Sequence, residues 1–119
     1  MHVVRFDRAP AYAADGHFGM VMHYLQGRDA GYTEHVWVGH SVVAPEGGTT
    51  AKASPFEKVY VVLAGELEIT GGAGDRRTTV TLGPLDSCRI EPGEERQLLN
   101  RGSVPASLLL IMATKPAPG

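Results

Sequence analysis

Cysteine is nearly absent from this 119-residue chain, with Cys88 as the single one. No intramolecular disulfide can form, and a reducing, cytoplasmic setting is the expected compartment. No apolar run approaches the roughly 20 residues that span a bilayer. Residues 1–6 also lack the apolar stretch and small-residue cleavage site of a secretory signal, so no membrane partner is expected. Charge of one sign is not in excess: 13 acidic and 11 basic residues leave a net −2. Without a basic surface, nucleic acid is not an expected partner. A sustained helical period, an internal repeat and a linker are all missing.

What the chain does have is punctuation. Fifteen glycines and eight prolines break it into short alternating or β-branched runs. The clearest is Lys58-Val59-Tyr60-Val61-Val62-Leu63, then Ala64-Gly65, then Glu66 to Thr70. The glycine-rich stretch Gly71–Gly74 leads into residues 77–82 and reads as a hairpin tip. It lacks the Gly-Lys-Ser/Thr ending of a phosphate loop. Further strands are expected at about 2–6, 18–26, 34–44, 86–91, 95–100 and 106–113. Eight or more short strands at this spacing predict an all-β sandwich or barrel. One domain over residues 1–114 is expected, with a flexible tail at 115–119.

From Pro55 to Leu67 the residues resemble the first motif of the cupin superfamily, in which two histidines precede a glutamate and a glycine follows seven positions later. Leu85-Asp86 to Ile90, Pro92, Gly93, Arg96 and Asn100 resemble the second, which carries a further histidine four residues before its asparagine. The resemblance implies a cupin-type antiparallel β-barrel (a double-stranded β-helix or jelly roll), and barrels of this kind commonly pair as homodimers. It also locates the four metal-ligand positions of the family. They fall on Lys52, Ser54, Lys58 and Arg96, so every expected ligand is replaced.

Ammonium and guanidinium groups offer a cation no lone pair near neutral pH. No metal and no cofactor is therefore expected, and the inward-facing cluster should take a small anionic molecule: a carboxylate, a phosphate or an enolate. Arginine suits bidentate carboxylate binding, and a desolvated lysine beside other cations becomes a base or Schiff-base nucleophile. Strand alternation puts Tyr60 on the face of Lys58. The candidate catalytic residues are Lys58, Arg96, Tyr60 and His40, with Lys52, Ser54 and His17 as substrate-binding residues. The bland alternative pairs the lysines with Glu57, Glu94 or Glu95 and leaves a barrel without a site.

Two functional classes follow. One is a metal-independent isomerase, cyclase or decarboxylase working through an enolate on an anionic or aromatic metabolite; the other is a non-catalytic binding module. Histidines 17, 23, 35 and 40 offer an alternative metal site if they converge, with His17 and His23 expected on one face and His40 opposite Trp37. Cys88 reads as a small buried hydrophobe. Trp37, Tyr24 and Phe18 read as packing, and the stretch Phe18–Met22, apolar on both faces, suits a partner subunit.

Overall fold

A computed structural model describes residues 1–118, and they form an antiparallel β-barrel of ten strands. In chain order these are β1 (Ala11–Tyr12), β2 (His17–Gln26), β3 (Val36–Thr49), β4 (Lys52–Ala53), β5 (Lys58–Ala64), β6 (Leu67–Gly72), β7 (Thr78–Leu82), β8 (Ser87–Ile90), β9 (Glu95–Leu99) and β10 (Ala106–Ala113). They run in the order β7-β6-β9-β3-β10-β5-β8, with β1 and β2 added beside β3 and β4 paired with β9. Among the described residues no helix is long and apolar enough to cross a membrane.

Alternation decides what faces inward. On β5, Lys58, Tyr60 and Val62 are buried while Val59 and Val61 between them are not. On β3 the inward set is Trp37, Gly39, Ser41 and Val43. Val43, Val62, Leu67, Ile69, Leu98 and Leu108 pack into a core in which each is 2% exposed or less. Burying them supplies most of the drive for closure, at about 25 cal/mol per Å² of apolar surface. The core fills one end of the barrel. Toward the other end the same strands carry Lys58, Trp37 and Arg96, and the interior opens.

Two motif positions explain themselves structurally. Gly65 turns β5 into β6 with φ +72°, and a Cβ there would sit 2.8 Å from the Pro105 carbonyl oxygen. Asn100, 1% exposed, donates its amide to the carbonyls of Val43 (3.0 Å) and Val104 (2.9 Å) and accepts from Gly102 N–H (2.9 Å). It ties the end of β9 to β3 and to the loop before β10.

Several expectations need correction. Residues 2–6 form no strand; a 3-10 turn covers Phe6–Arg8, and the segment is held by a hydrogen bond between the His2 ring and the Ala30 carbonyl. β3 runs past residue 44 to Thr49 because Glu46 takes φ +68° and donates its N–H to the Asn100 carbonyl, while Asn100 N–H donates to the Gly47 carbonyl. The strands β1 and β4 had no signal of their own at two residues each. His17 and His23 do not share a face: a register shift at Gly19, φ +61°, turns His17 inward and leaves His23 outside. The 115–119 segment ends on Gly119, which lies outside the described residues; within it, Ala117 N–H bonds the Pro55 carbonyl at 2.9 Å.

Candidate functional site

The open end of the barrel holds a cavity of about 330 Å³. One wall is basic. Lys58 projects from β5, Arg96 from β9 and Lys52 from β4, with Lys52 and Arg96 in direct cross-strand register. Lys58 is 5% exposed and Arg96 7%. Arg96 Nη1 donates to Thr49 Oγ1 at 2.7 Å, and Thr49, 1% exposed, also accepts from Leu98 N–H at 3.0 Å. The Arg96 Nε is buried without a partner among the described residues.

The carboxylates that would neutralise this wall are elsewhere. Glu57 pairs with Arg89, Glu94 accepts the Glu91 N–H, and no acidic side chain among the described residues forms an ion pair with Lys52, Lys58 or Arg96. Of the residues lining the cavity four are basic, counting Arg28, and one, Asp15, is acidic. Burial first, then Arg96 and Lys52, pull the Lys58 pKa down to about 8. Burial pushes the Tyr60 hydroxyl up to about 12 against the pull of Arg96, so it remains a neutral donor.

His17 lines the same cavity, and its pKa is lowered, chiefly by burial and further by Arg96, Lys58 and Lys52; a backbone hydrogen bond opposes them. That bond joins Nδ1 to the Asp15 carbonyl at 2.9 Å. A carbonyl only accepts, so the proton sits on Nδ1 and the neutral ring carries its lone pair on Nε2. Ser54 also lines the cavity, with its hydroxyl engaged in a local turn with Phe56.

The opposite wall is aromatic. Tyr12 and Tyr24 stack at 4.0 Å, and Trp37 meets both edge-on at 6.1 and 5.5 Å. The Arg28 guanidinium lies 5.5 Å from the Trp37 ring centroid, a cation–π contact. Leu110 and Met112 complete this side.

Residues 39–112 match the family model described as the cupin domain. The chain is a cupin. It is 43% identical over 115 residues, 95% of this chain and 94% of the relative, to a Mycobacterium tuberculosis protein named beta-D-galactosidase Rv1717. Among solved structures it resembles the polyketide cyclase RemF from Streptomyces resistomycificus, at a TM-score of 0.78 and 18% identity over 99% of this chain and 82% of that one. An RmlC-like cupin from Shewanella frigidimarina aligns at a TM-score of 0.76 and 14% identity over 98% and 92%. At such identities the two structures attest the fold.

Cupin barrels ordinarily hold a metal where this one has Lys52, Ser54, Lys58 and Arg96. Two ammoniums, a guanidinium and a hydroxyl do not fit a divalent cation. The histidines do not supply a substitute set: no group of three His, Cys, Asp or Glu among the described residues is placed to hold a metal.

Six of the seven residues singled out in the sequence meet at this cavity. His40 does not. Alternation on β3 turns it outward, where it packs against Phe6 (5.5 Å between ring centroids) beside His23, its cross-strand neighbour. Sequence reasoning assigned Trp37 and Tyr24 to packing alone, and it gave Tyr12, Asp15 and Arg28 no role. A signal existed for Trp37, which alternates in step with the inward face of β3; none existed for Tyr12, whose strand is two residues long.

Proposed function

We propose that this cupin is a metal-independent enzyme acting on a small anionic metabolite, with isomerase, cyclase or decarboxylase-type chemistry through an enolate. The observation that carries the reading is the basic wall of Lys52, Lys58 and Arg96, buried in part and unpaired by carboxylates among the described residues. Such a wall stabilises negative charge that develops on a bound oxygen, and preorganised cations in a water-poor site lower a barrier by several kcal/mol.

Two groups with pKa values set by this environment suit the proton work. Lys58 remains largely charged at neutral pH, whereas His17 is neutral with Nε2 free. His17 Nε2 takes the proton from the carbon beside the substrate carbonyl. The C–H electron pair moves onto the carbonyl oxygen, where Lys58 and Arg96 hold the enolate; the proton on Nε2 exchanges with solvent, and Nε2 then delivers a proton to another carbon or to the original one. The test is exchange. In D2O the metal-stripped protein should wash deuterium into the α-position of a 2-keto or 3-keto acid. No exchange from any keto acid that binds would remove the enolate chemistry.

A second reading, hydrolysis of a β-galactoside, is favoured by the 43% identical relative and by an aromatic wall on which a sugar face can lie. The electrostatics oppose it. Glycoside hydrolysis passes through an oxocarbenium-like cation and ordinarily uses two carboxyl groups, and this cavity has four basic residues and one acidic. Release of nitrophenol from a chromogenic β-galactoside, lost in Asp15→Asn, would decide for hydrolysis.

The reading includes a homodimer. Phe18 and Val21 on the outer side of β2 are 47% and 59% exposed. Sedimentation equilibrium at micromolar concentration tests it.

A further inference from the structure

We infer that the cavity takes a ligand with two anionic groups held apart by an apolar span, one on the Lys52–Lys58–Arg96 wall and the other on Arg28 across from it. A dicarboxylic acid is the chemical class. The inference rests on the anionic-ligand reading of the same cavity and goes further, to a second charge and its place.

The position of Arg28 carries the argument. It stands in the 3-10 turn between β2 and β3, apart from the strands β4, β5 and β9 that carry the other three cations. Its guanidinium is held over Trp37 on the aromatic wall, and the residue lines the cavity. Like Lys52 opposite, it is exposed, and it forms no ion pair among the described residues. Arg28 also takes φ +52°, a left-handed conformation that suits glycine or asparagine and strains an arginine. Such strain gathers at ligand contacts. An arginine kept there, unpaired and beside a cavity, has an anion to meet.

Strand register separates the two places of charge. Trp37 on β3 lies opposite Met112 on β10, and Met112 lies opposite Lys58 on β5. Two strand spacings, about 10 Å, therefore part the Trp37 backbone from that of Lys58. Met112 and Leu110, two residues before it, line the cavity between them as an apolar floor. Charge counting agrees. Four cations and the single carboxylate of Asp15 line the cavity, and Asp15 pairs with none of them among the described residues. One monoanion leaves the cavity positive. A compact dianion such as phosphate meets the basic wall alone, whereas two carboxylates joined by methylenes meet both walls and cover the floor.

The experiment is calorimetric titration of the full chain at pH 7 and low salt. The probes are inorganic phosphate and linear acids matched in length, butyrate with succinate, hexanoate with adipate, and octanoate with suberate. Adipate or suberate should bind about fivefold more tightly than its monoacid partner, the upper end of a solvent-exposed charge pair. Added salt should shrink that difference. Arg28→Gln should abolish it while leaving the monoacids and phosphate within about twofold. Arg28→Gly, which suits the positive φ, should give the same loss by an independent route, and Arg28→Lys, which keeps the charge, should retain most of the preference. If no diacid exceeds its monoacid partner, or if Arg28→Gln and Arg28→Gly weaken both members of each pair equally, the second-anion inference is overturned while the anionic reading stands. If neither phosphate nor any of the acids binds, both fall together.

Discussion

Lys52 and Arg96 face each other as cross-strand partners on β4 and β9, two like charges in register with no carboxylate bridging them among the described residues. Like charges directly opposite destabilise a sheet, and Lys58 adds a third beside them. A fold that tolerates this arrangement holds a cost that a bound anion relieves. Thermal stability should therefore rise on adding a carboxylate that enters the cavity, and it should rise less in Arg96→Met. Melting curves with and without millimolar benzoate check both.

The same cost predicts the sign of a substitution. Lys58→Met replaces a buried, uncompensated ammonium by an apolar chain of similar length, which removes the cost of holding an unpaired charge out of water. The ligand-free variant should melt above the wild type while losing most of its affinity for anions. A variant that melts lower and binds normally would place the ammonium outside the cavity's electrostatics.

Lys58 also sets a pH dependence. Its folded pKa of about 8 lies below the ordinary 10.5, so between these values the unfolded chain binds more protons. The stability of the ligand-free protein then rises with pH from about 8 toward 10.5, and below about 8 the full penalty is present. Anion affinity runs the other way, falling as pH rises through about 8 and the ammonium discharges. Calorimetric titration with benzoate, which stays ionised throughout, should show that bend, and Lys58→Met should remove it.

The barrel was legible in the sequence because its signals are local. The run Lys58–Leu63 alternates, Gly65 must take positive φ, and Asn100 sits where a buried amide can gather three hydrogen bonds. The basic wall was legible through the family resemblance, whose metal-ligand positions fall on Lys52, Ser54, Lys58 and Arg96; alternation added only that Tyr60 shares the face of Lys58. The aromatic wall was not. Tyr12 comes from a two-residue strand, and Arg28 follows a glycine turn and has φ +52°; only the closed barrel brings them beside Trp37. His17 was read as lining the cavity, but its relation to His23 was misjudged because one bulge at Gly19 reverses a face. His40 failed on a simpler ground: alternation had already placed it opposite Trp37, and Trp37 is the residue that faces in.

Thr49 offers a test of the support behind the site. Its hydroxyl oxygen accepts from both Arg96 Nη1 and Leu98 N–H in a region with almost no solvent. Thr49→Val preserves the shape, strands the Leu98 N–H and leaves Arg96 Nη1 only its long contact to the Thr50 carbonyl at 3.4 Å. A loss of about 1–3 kcal/mol of stability is expected from the buried unsatisfied N–H, read by urea denaturation. Because Arg96 also loses an anchor, anion affinity should fall with it, whereas Thr49→Ser should restore both.

The metal prediction separates this cupin from the family's usual chemistry. Ordinary cupin sites gain folding energy from their ion, because the ligands must be brought together and deprotonated to hold it. Lys52, Ser54, Lys58 and Arg96 offer no such coupling. Untagged protein should carry well under one equivalent of zinc, iron or manganese by mass spectrometry, and a chelator should leave its melting temperature and its anion affinity unchanged. A full equivalent of metal that resists dialysis would require donors from elsewhere, and His17, the histidine that lines the cavity, would be the first to test. His17→Ala would then release the metal. If the cavity binds anions alone, the same variant should leave the metal content at background and abolish deuterium exchange while anion affinity persists, since His17 moves the proton and the cations hold the charge.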